Sequence, residues 1–288
     1  MGTESKVSKM KCPVCDEVEH VKILSSESMD AWRCEQCYHA WRTAPWKESS
    51  AEEYMGKAAW TRLEYMQLHD SIKMAAFKLT LQWANEMKSR VPRLMVDFGC
   101  SYGSLMQIFK EDDWDVMGIE ISSSAHQILD QRGLPWATCL DKSSLAKRSV
   151  DIVVMFDSIY YLPEPVSTLK QIQSYLKPDG LILVRTPTRG GLTRLLSKVY
   201  PKKITSSSFW GSFVHQFSRK STRIVLNKAG FTNIKFSKEK GFRHHLKQQL
   251  LHSLLHAIDC ITLRKFDLTT SWIVTAQATK TTDSISSE

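Results

Sequence analysis

Between Leu94 and Ala278, short apolar stretches alternate with helix-length segments, and this alternation restricts the chain to α/β folds more than any other feature. Strands are expected at LMVDF, DVMGIEI, WATCL, VDIVVMF, LILVR, NIKFS and SWIVTAQA, with helices near 103–111, 123–132, 166–176, 218–229 and 244–264. Such a pattern builds a mostly parallel sheet with helices on both faces, and ligands bind beyond the carboxyl ends of its strands. LKPDGLILV reads as a helix end, a turn and a buried strand.

The expected fold is therefore a Rossmann-like, doubly wound, mostly parallel seven-stranded sheet over residues 93–279. Residues 46–92 form a helical linker before it, in which Ile72, Ala76, Leu79, Trp83 and Met87 share one helical face expected to pack on the sheet domain. Pro92 ends that run, and the polar tail 280–288 is expected to be disordered. No apolar run of about 18 residues and no basic-then-apolar leader is present, so a cytoplasmic chain without a transmembrane segment is expected. A myristoylation pattern at Gly2 is met too easily by chance to carry weight.

Two cysteine pairs, Cys12 with Cys15 and Cys34 with Cys37, stand 18 residues apart within residues 1–45. Two C-x₂-C knuckles at this separation suit a Cys₄ zinc ribbon, because each tight turn aims two thiolates at one tetrahedral ion. Four thiolates close the coordination shell, so the metal is read as structural; His39 is an alternative fourth ligand, and redox pairs or disulfides are the rival reading. Cys139 and Cys260 read as small buried apolar residues.

Residues 95 to 106, MVDFGCSYGSLM, form an apolar strand, a glycine-bracketed turn and a helix start. A dinucleotide loop requires G-x-G-x-x-G, and here Ser101 stands at the centre between Gly99 and Gly103. Asp97 would oppose a pyrophosphate, whereas it suits a ligand that presents cations. S-adenosylmethionine carries an ammonium and a sulfonium and no phosphate, and Glu120 in GIEIS supplies the acid that a ribose needs about 20 residues on. The competing reading makes both carboxylates simple strand-end caps.

VDFGCSYG, GIEIS, VDIVVMFDSIYYLPEP and LKPDGLILVRTP resemble, in order and spacing, the successive motifs of class I S-adenosylmethionine-dependent methyltransferases. The resemblance covers most of residues 91–279. The N-terminal CPVC and WRCEQC are similar to a subgroup in which a zinc ribbon precedes a small-molecule or sugar-type methyltransferase. It implies that Asp97, Gly99 and Gly103 line the methionine end, with backbone contacts from Cys100 and Ser101. Glu120 would hold the ribose, Ile121 would pack on adenine, Asp141 would accept from the adenine amino group, and Phe156 and Asp157 would border the methyl. Tyr160 and Tyr161 stand where relatives carry Glu-His, and the metal-binding set of quinone-type O-methyltransferases is absent, which disfavours magnesium-assisted catechol methylation.

Methyl transfer is an in-line displacement, so the protein aligns the acceptor and removes a proton where one must leave. His215 is the candidate base, with Tyr160 and Tyr161 orienting the acceptor or packing over the cofactor. His244, His245, His252 and His256 read as a solvated face.

Charge is uneven: Lys plus Arg against Asp plus Glu number 13 and 13 in residues 1–90, 8 and 12 in 91–180, and 18 and 5 in 181–288. Arg185, Arg189, Arg194, Lys198, Lys202, Lys203, Arg219, Lys220 and Arg223 border the acceptor side, which implies a small anionic substrate. Leu246, Leu250, Leu251, Leu254, Leu255 and Ile258 make an apolar face read as core packing, with peripheral membrane contact as its rival. The function expected is O- or C-methylation of a small anionic metabolite or sugar-type acceptor. Two alternatives stand beside it: an RNA methyltransferase that uses the basic third, disfavoured by a ribbon with no net positive charge, and a catalytically inactive zinc-ribbon interaction protein.

Overall fold

The computed structural model describes residues 10–25, 30–43, 63–87, 93–187, 213–238 and 271–279, with positions 254, 257, 258 and 261. The histidines and leucines of segment 244–256 other than Leu254, the cations Arg189, Arg194, Lys198, Lys202 and Lys203, Cys260, Gly2 and the tail 280–288 lie outside the described residues.

The ribbon begins with two equivalent knuckles. Asp16 and Tyr38, each following a C-x₂-C pair, take left-handed φ values of 65° and 59°. Their amides donate back to the carbonyls of Cys12 and Cys34, both at 3.0 Å. Strands β1 (His20–Ser25), β2 (Asp30–Cys34) and β3 (Ala40–Arg42) form an antiparallel meander. A fourth strand completes that sheet from far downstream: β9 (His215–Gln216) pairs antiparallel with β3, Trp41 opposite His215 and Ala40 opposite Gln216.

Helix α1 (Leu63–Met87) leads into the large sheet. Its elements in chain order are β4 (Leu94–Phe98), α2 (Ser104–Lys110), β5 (Asp115–Ile119), α3 (Ser123–Gln131), β6 (Trp136–Ala137), β7 (Val150–Phe156), α4 (Pro165–Tyr175) and β8 (Leu176–Pro187). After β9 follow α5 (Arg219–Lys228), β10 (Phe231–Lys238) and β11 (Ser271–Ala278). The strand order is β10-β11-β8-β7-β4-β5-β6, with β11 antiparallel to both neighbours. The seven-stranded, mostly parallel sheet expected from the sequence is therefore present. WATCL shrinks to a two-residue edge strand, and LKPDGLILV is strand throughout. Its turn residue Asp179 survives as a left-handed position with φ 65° where the β7 to β8 register slips.

Strand β7 is buried along all seven residues, as a central parallel strand covered on both faces must be. Ala76 is buried as expected of the packing face of α1, but Leu79 and Met87 are exposed, and Phe77, Thr80 and Ala84 complete the buried side instead. Small residues let the helix backbone approach the domain, while Phe77 meets Phe156 edge-on at 5.3 Å between ring centroids. Cys139 is half-buried, not fully buried as expected. Among the described residues no helix is long and apolar enough to cross a membrane.

Candidate active site

Strands β5 and β7 both flank β4, so the sheet order reverses there and opens a crevice beyond its carboxyl ends. Asp97, near the end of β4, lies opposite Gly118 of β5 and Val154 of β7. It is buried, and its carboxyl is pushed up to about 7, chiefly by burial, with Glu120 adding to the shift and Lys73 opposing it.

Gly99 takes φ 83°, and a Cβ there would stand 2.6 Å from Cβ of Ser158, whose hydroxyl donates to the Phe98 carbonyl at 2.6 Å. Gly103, at φ 77°, lies against Leu129 and Leu134 with no room for a side chain. Ser101 occupies the left-handed region at φ 49°. The loop amides are largely committed: Gly99 and Cys100 donate to the Ile119 carbonyl at 2.8 and 3.3 Å, and Gly103 donates to Cys100 at 2.9 Å. Ser101 donates to Oε2 of Glu120 at 2.8 Å. A pyrophosphate cradle needs amides that point at the ligand, and these point into the protein.

Glu120 follows β5 and is buried. Its Oε1 accepts from the amides of Ile121 and Ser122 at 2.8 and 2.9 Å. His126 Nε2 lies 2.9 Å from the Glu120 carbonyl and its ring stacks on Trp136, which holds the strand end in place. Ile121 projects an exposed apolar side chain beside the carboxylate. Asp141 sits at the surface in a short 3-10 turn over Leu140–Lys142. Its carboxylate accepts from Tyr175 at 2.9 Å and Gln171 at 2.7 Å, and those bonds hold its pKa below the ordinary carboxylate range.

Phe156 ends β7, and Asp157 follows in the left-handed region at φ 60°. Asp157 is salt-bridged to Lys73 of α1 at 3.1 Å and to Arg185 of β8. Burial raises its carboxyl, but the two cations outweigh burial and keep it below the ordinary range. Lys73 was invisible to sequence reasoning because one lysine in a linker helix carries no motif.

Tyr160 and Tyr161 lie in a 3-10 turn over Ile159–Tyr161, their rings 4.6 Å apart, with Phe213 at 4.3 Å from Tyr160. The Val214 amide donates to the Tyr160 carbonyl at 3.0 Å, which brings β9 beside that turn. His215 is buried and its pKa is lowered to about 4, chiefly by burial. Its Nδ1 lies 3.0 Å from Nε2 of His39. Of the cations assigned to the acceptor side, Arg219 and Arg223 lie over aromatic rings instead, both on Phe236 and Arg219 also on Trp272. Lys220 donates to the Gln36 carbonyl at 2.6 Å.

The sulfurs of Cys12, Cys15, Cys34 and Cys37 all lie within 4.8 Å of one another. The Cys12 to Cys37 and Cys15 to Cys34 separations are 3.7 and 3.5 Å, far longer than a disulfide. A tetrahedron with zinc–sulfur bonds of about 2.3 Å has edges of about 3.8 Å, so the four thiols fit that ion. His39 points away from them to His215.

Residues 73–235 match a family model described as a methyltransferase domain. Ubiquinone biosynthesis O-methyltransferase of Ralstonia nicotianae is 24% identical over 129 residues, which is 42% of this chain and 54% of its own. The enzyme of that name from Cupriavidus pinatubonensis is 24% identical over 144 residues, 47% of this chain and 56% of its own. This chain thus spans about half the length of the curated relatives it matches. Among solved structures, a chain of the complex between the Haloferax volcanii Trm112 methyltransferase activator and a methyltransferase shares the fold, with TM-score 0.54, 15% identity, 80% of this chain and 97% of that one covered. Haemonchus contortus phosphoethanolamine N-methyltransferase 2 does so with TM-score 0.54, 13% identity and coverage of 90% and 71%. Since the family model covers more than half of the sequence, and the strand order and acid-lined crevice agree with it, the chain belongs to the methyltransferase domain family.

Proposed function

We propose that the chain methylates a small anionic metabolite or sugar-type acceptor, at oxygen or carbon, with S-adenosylmethionine as donor. The observation that supports this best is the pair of buried carboxylates, Asp97 and Glu120, at neighbouring strand ends in the switch-point crevice. They suit an ammonium and a ribose and would repel a phosphate.

In this reading Asp97, with Gly99 and Gly103 giving backbone clearance and Cys100 and Ser101 shaping the turn, receives the amino-acid end. Glu120 accepts from a ribose hydroxyl through the Oε2 lone pair that its three backbone bonds leave. Ile121 covers one face of the adenine, and Asp141 offers its remaining lone pairs to the amino group. Phe156 and Asp157 border the transferred methyl, with Asp157 locked by Lys73 and Arg185. When bound, S-adenosylmethionine supplies a methyl group on an electrophilic sulfonium.

Tyr160 and Tyr161 wall the acceptor side. With the cofactor bound, an acceptor oxygen or carbon held against this wall would be aligned with the methyl group, and its proton would pass to His215. A base held near 4 takes that proton only as the new bond forms, so His215 works in concert with transfer. Cys12, Cys15, Cys34 and Cys37 hold a structural zinc ion in the same reading.

Calorimetric titration with S-adenosylmethionine tests the proposal. Wild type should bind, and Glu120→Ala should weaken binding by about tenfold or more, the loss of a charged acceptor for ribose hydroxyls. No binding to wild type removes the reading.

A further inference from the structure

The face of the ribbon sheet away from Trp41 and His215 carries its own polar cluster. Arg33 lies opposite Ala40 across β2 and β3, and Gln216 lies opposite Ala40 across β3 and β9. Directly paired residues of an antiparallel sheet project to the same face, as do residues two apart on one strand. Arg33, Ala40, Gln216 and Arg42 therefore share a face, with an alanine between the arginine and the glutamine. Ala40 is 1% exposed and Gln216 3%, so this face is enclosed.

Within it, among the described residues, neither the nitrogen nor the oxygen of the Gln216 amide has a hydrogen-bond partner, and Nη1 of Arg33 has none. Arg33 is held in orientation by Glu35 Oε1, which accepts from its Nε at 3.3 Å and Nη2 at 3.0 Å. A buried amide with both ends unsatisfied is costly where a leucine would serve packing alone. Guanidinium and amide N–H groups carried on one sheet face are complementary to an oxyanion, and the Gln216 oxygen to a hydroxyl on the same ligand.

The cluster also reaches the crevice. The Arg42 amide donates to the Val214 carbonyl at 3.1 Å, and the Val214 amide donates to the Tyr160 carbonyl at 3.0 Å. Tyr161 lies within electrostatic reach of the Arg42 guanidinium. The ribbon face and the aromatic wall are thus one hydrogen bond apart on either side of Val214.

We propose that Arg33, Arg42 and Gln216 form a binding site for the oxyanion of a hydroxylated acceptor, a carboxylate or a phosphate, so that the zinc ribbon is part of the acceptor site. The proposal rests on the methyltransferase reading given above, which it deepens by placing the anionic end of the acceptor on the ribbon.

The test uses the full chain loaded with zinc, titrated calorimetrically with inorganic phosphate and separately with acetate, alongside thermal unfolding. Wild type should bind at least one of the two, and which one identifies the oxyanion. Arg42→Gln should weaken that binding about tenfold, the loss of one charge-assisted contact. Gln216→Leu should weaken it too, yet raise the melting temperature of the ligand-free protein, because an unsatisfied amide has been removed. The isosteric Gln216→Glu should abolish anion binding and serves if the leucine variant fails to fold. Anion binding equal in wild type and all variants, or none to wild type at millimolar concentrations, overturns the site. Titration of the same proteins with S-adenosylmethionine keeps the two failures apart, since its loss in wild type condemns the methyltransferase reading and its retention leaves only the anion site in question.

Discussion

Nε2 of His39 lies 3.0 Å from Nδ1 of His215, so the ribbon holds a side chain that stands 176 residues further along the chain. His39 is held well below its ordinary range by burial and by His215, and burial lowers His215 to about 4. Both rings are neutral near pH 7, which lets one donate while the other accepts. Ser218 fastens the same seam, donating from its hydroxyl to the Cys37 carbonyl at 2.6 Å while capping α5.

A histidine protonated only near 4 when folded but near 6.5 when unfolded makes stability fall with acid. Above 6.5 neither state binds the proton. Between 6.5 and about 4 the unfolded chain takes it up and the folded chain does not. Urea unfolding should therefore show about 2 kcal/mol less stability at pH 5 than at pH 7.5 from this site alone. His215→Gln should lose that portion of the slope, and an unchanged pH profile in the variant refutes the assignment.

Asp97 gives the opposite dependence. Its folded carboxyl, raised from 3.8 to about 7 by burial and by Glu120 against the pull of Lys73, disfavours the ligand-free fold as pH climbs through that window. An ammonium beside it favours the ionised form, so cofactor binding below pH 7 must release a proton. The Kd for S-adenosylmethionine should rise by up to about tenfold per pH unit below 7 in wild type and vary little with pH in Asp97→Asn. Calorimetry in buffers of different ionisation enthalpy measures the released proton directly, and equal heats across those buffers would exclude it.

Ser101 adopts a left-handed conformation, φ 49°, that costs a side chain about 1–2 kcal/mol and a β-branched one more. Its useful contact is the backbone N–H to Glu120. Ser101→Gly should thus leave cofactor affinity within about twofold and stability within about 1 kcal/mol, relief of strain offsetting the added chain entropy. Ser101→Val should lose about 1–2 kcal/mol more than the glycine variant in denaturant unfolding. Equal stability of the two variants would show that the turn bears no strain.

These residues also show what the sequence could reveal. Asp97, Glu120 and the glycine bracket were legible because strand, tight turn and helix lie within one local stretch, where residue type and spacing determine geometry. The cysteine knuckles were legible for the same reason. The salt bridges from Lys73 and Arg185 to Asp157 and the contact between His39 and His215 were not, because each joins segments brought together only by the tertiary fold. The face of α1 was legible at Ala76 and misled by size elsewhere: Leu79 and Met87 look like core residues, yet Thr80 and Ala84 are buried in their place because the helix approaches so closely. The unpartnered amide of Gln216 could not be read either, since polarity in a sequence does not announce burial.

The ribbon and the sheet domain should lose structure together when the metal site is broken. Strand β9 belongs to the ribbon sheet, Ser218 and Lys220 of the α5 start bond to ribbon carbonyls, and Lys228 pairs with Asp16. Cys12, Cys34, Cys37 and Trp41 pack in the same apolar cluster as Tyr160, Phe217 and Val225. A free-standing ribbon would unfold on chelation and leave the remainder intact, whereas these contacts couple the metal to β9, and through it to Tyr160 and His215. Removal by a chelator of the zinc proposed for the four thiols, or Cys15→Ser, should therefore cost several kcal/mol, appear as one shared transition in near-ultraviolet dichroism and tryptophan fluorescence, and weaken anion binding more than binding of S-adenosylmethionine. Two separate transitions, with the second at the wild-type midpoint, would show that the ribbon is an independent appendage.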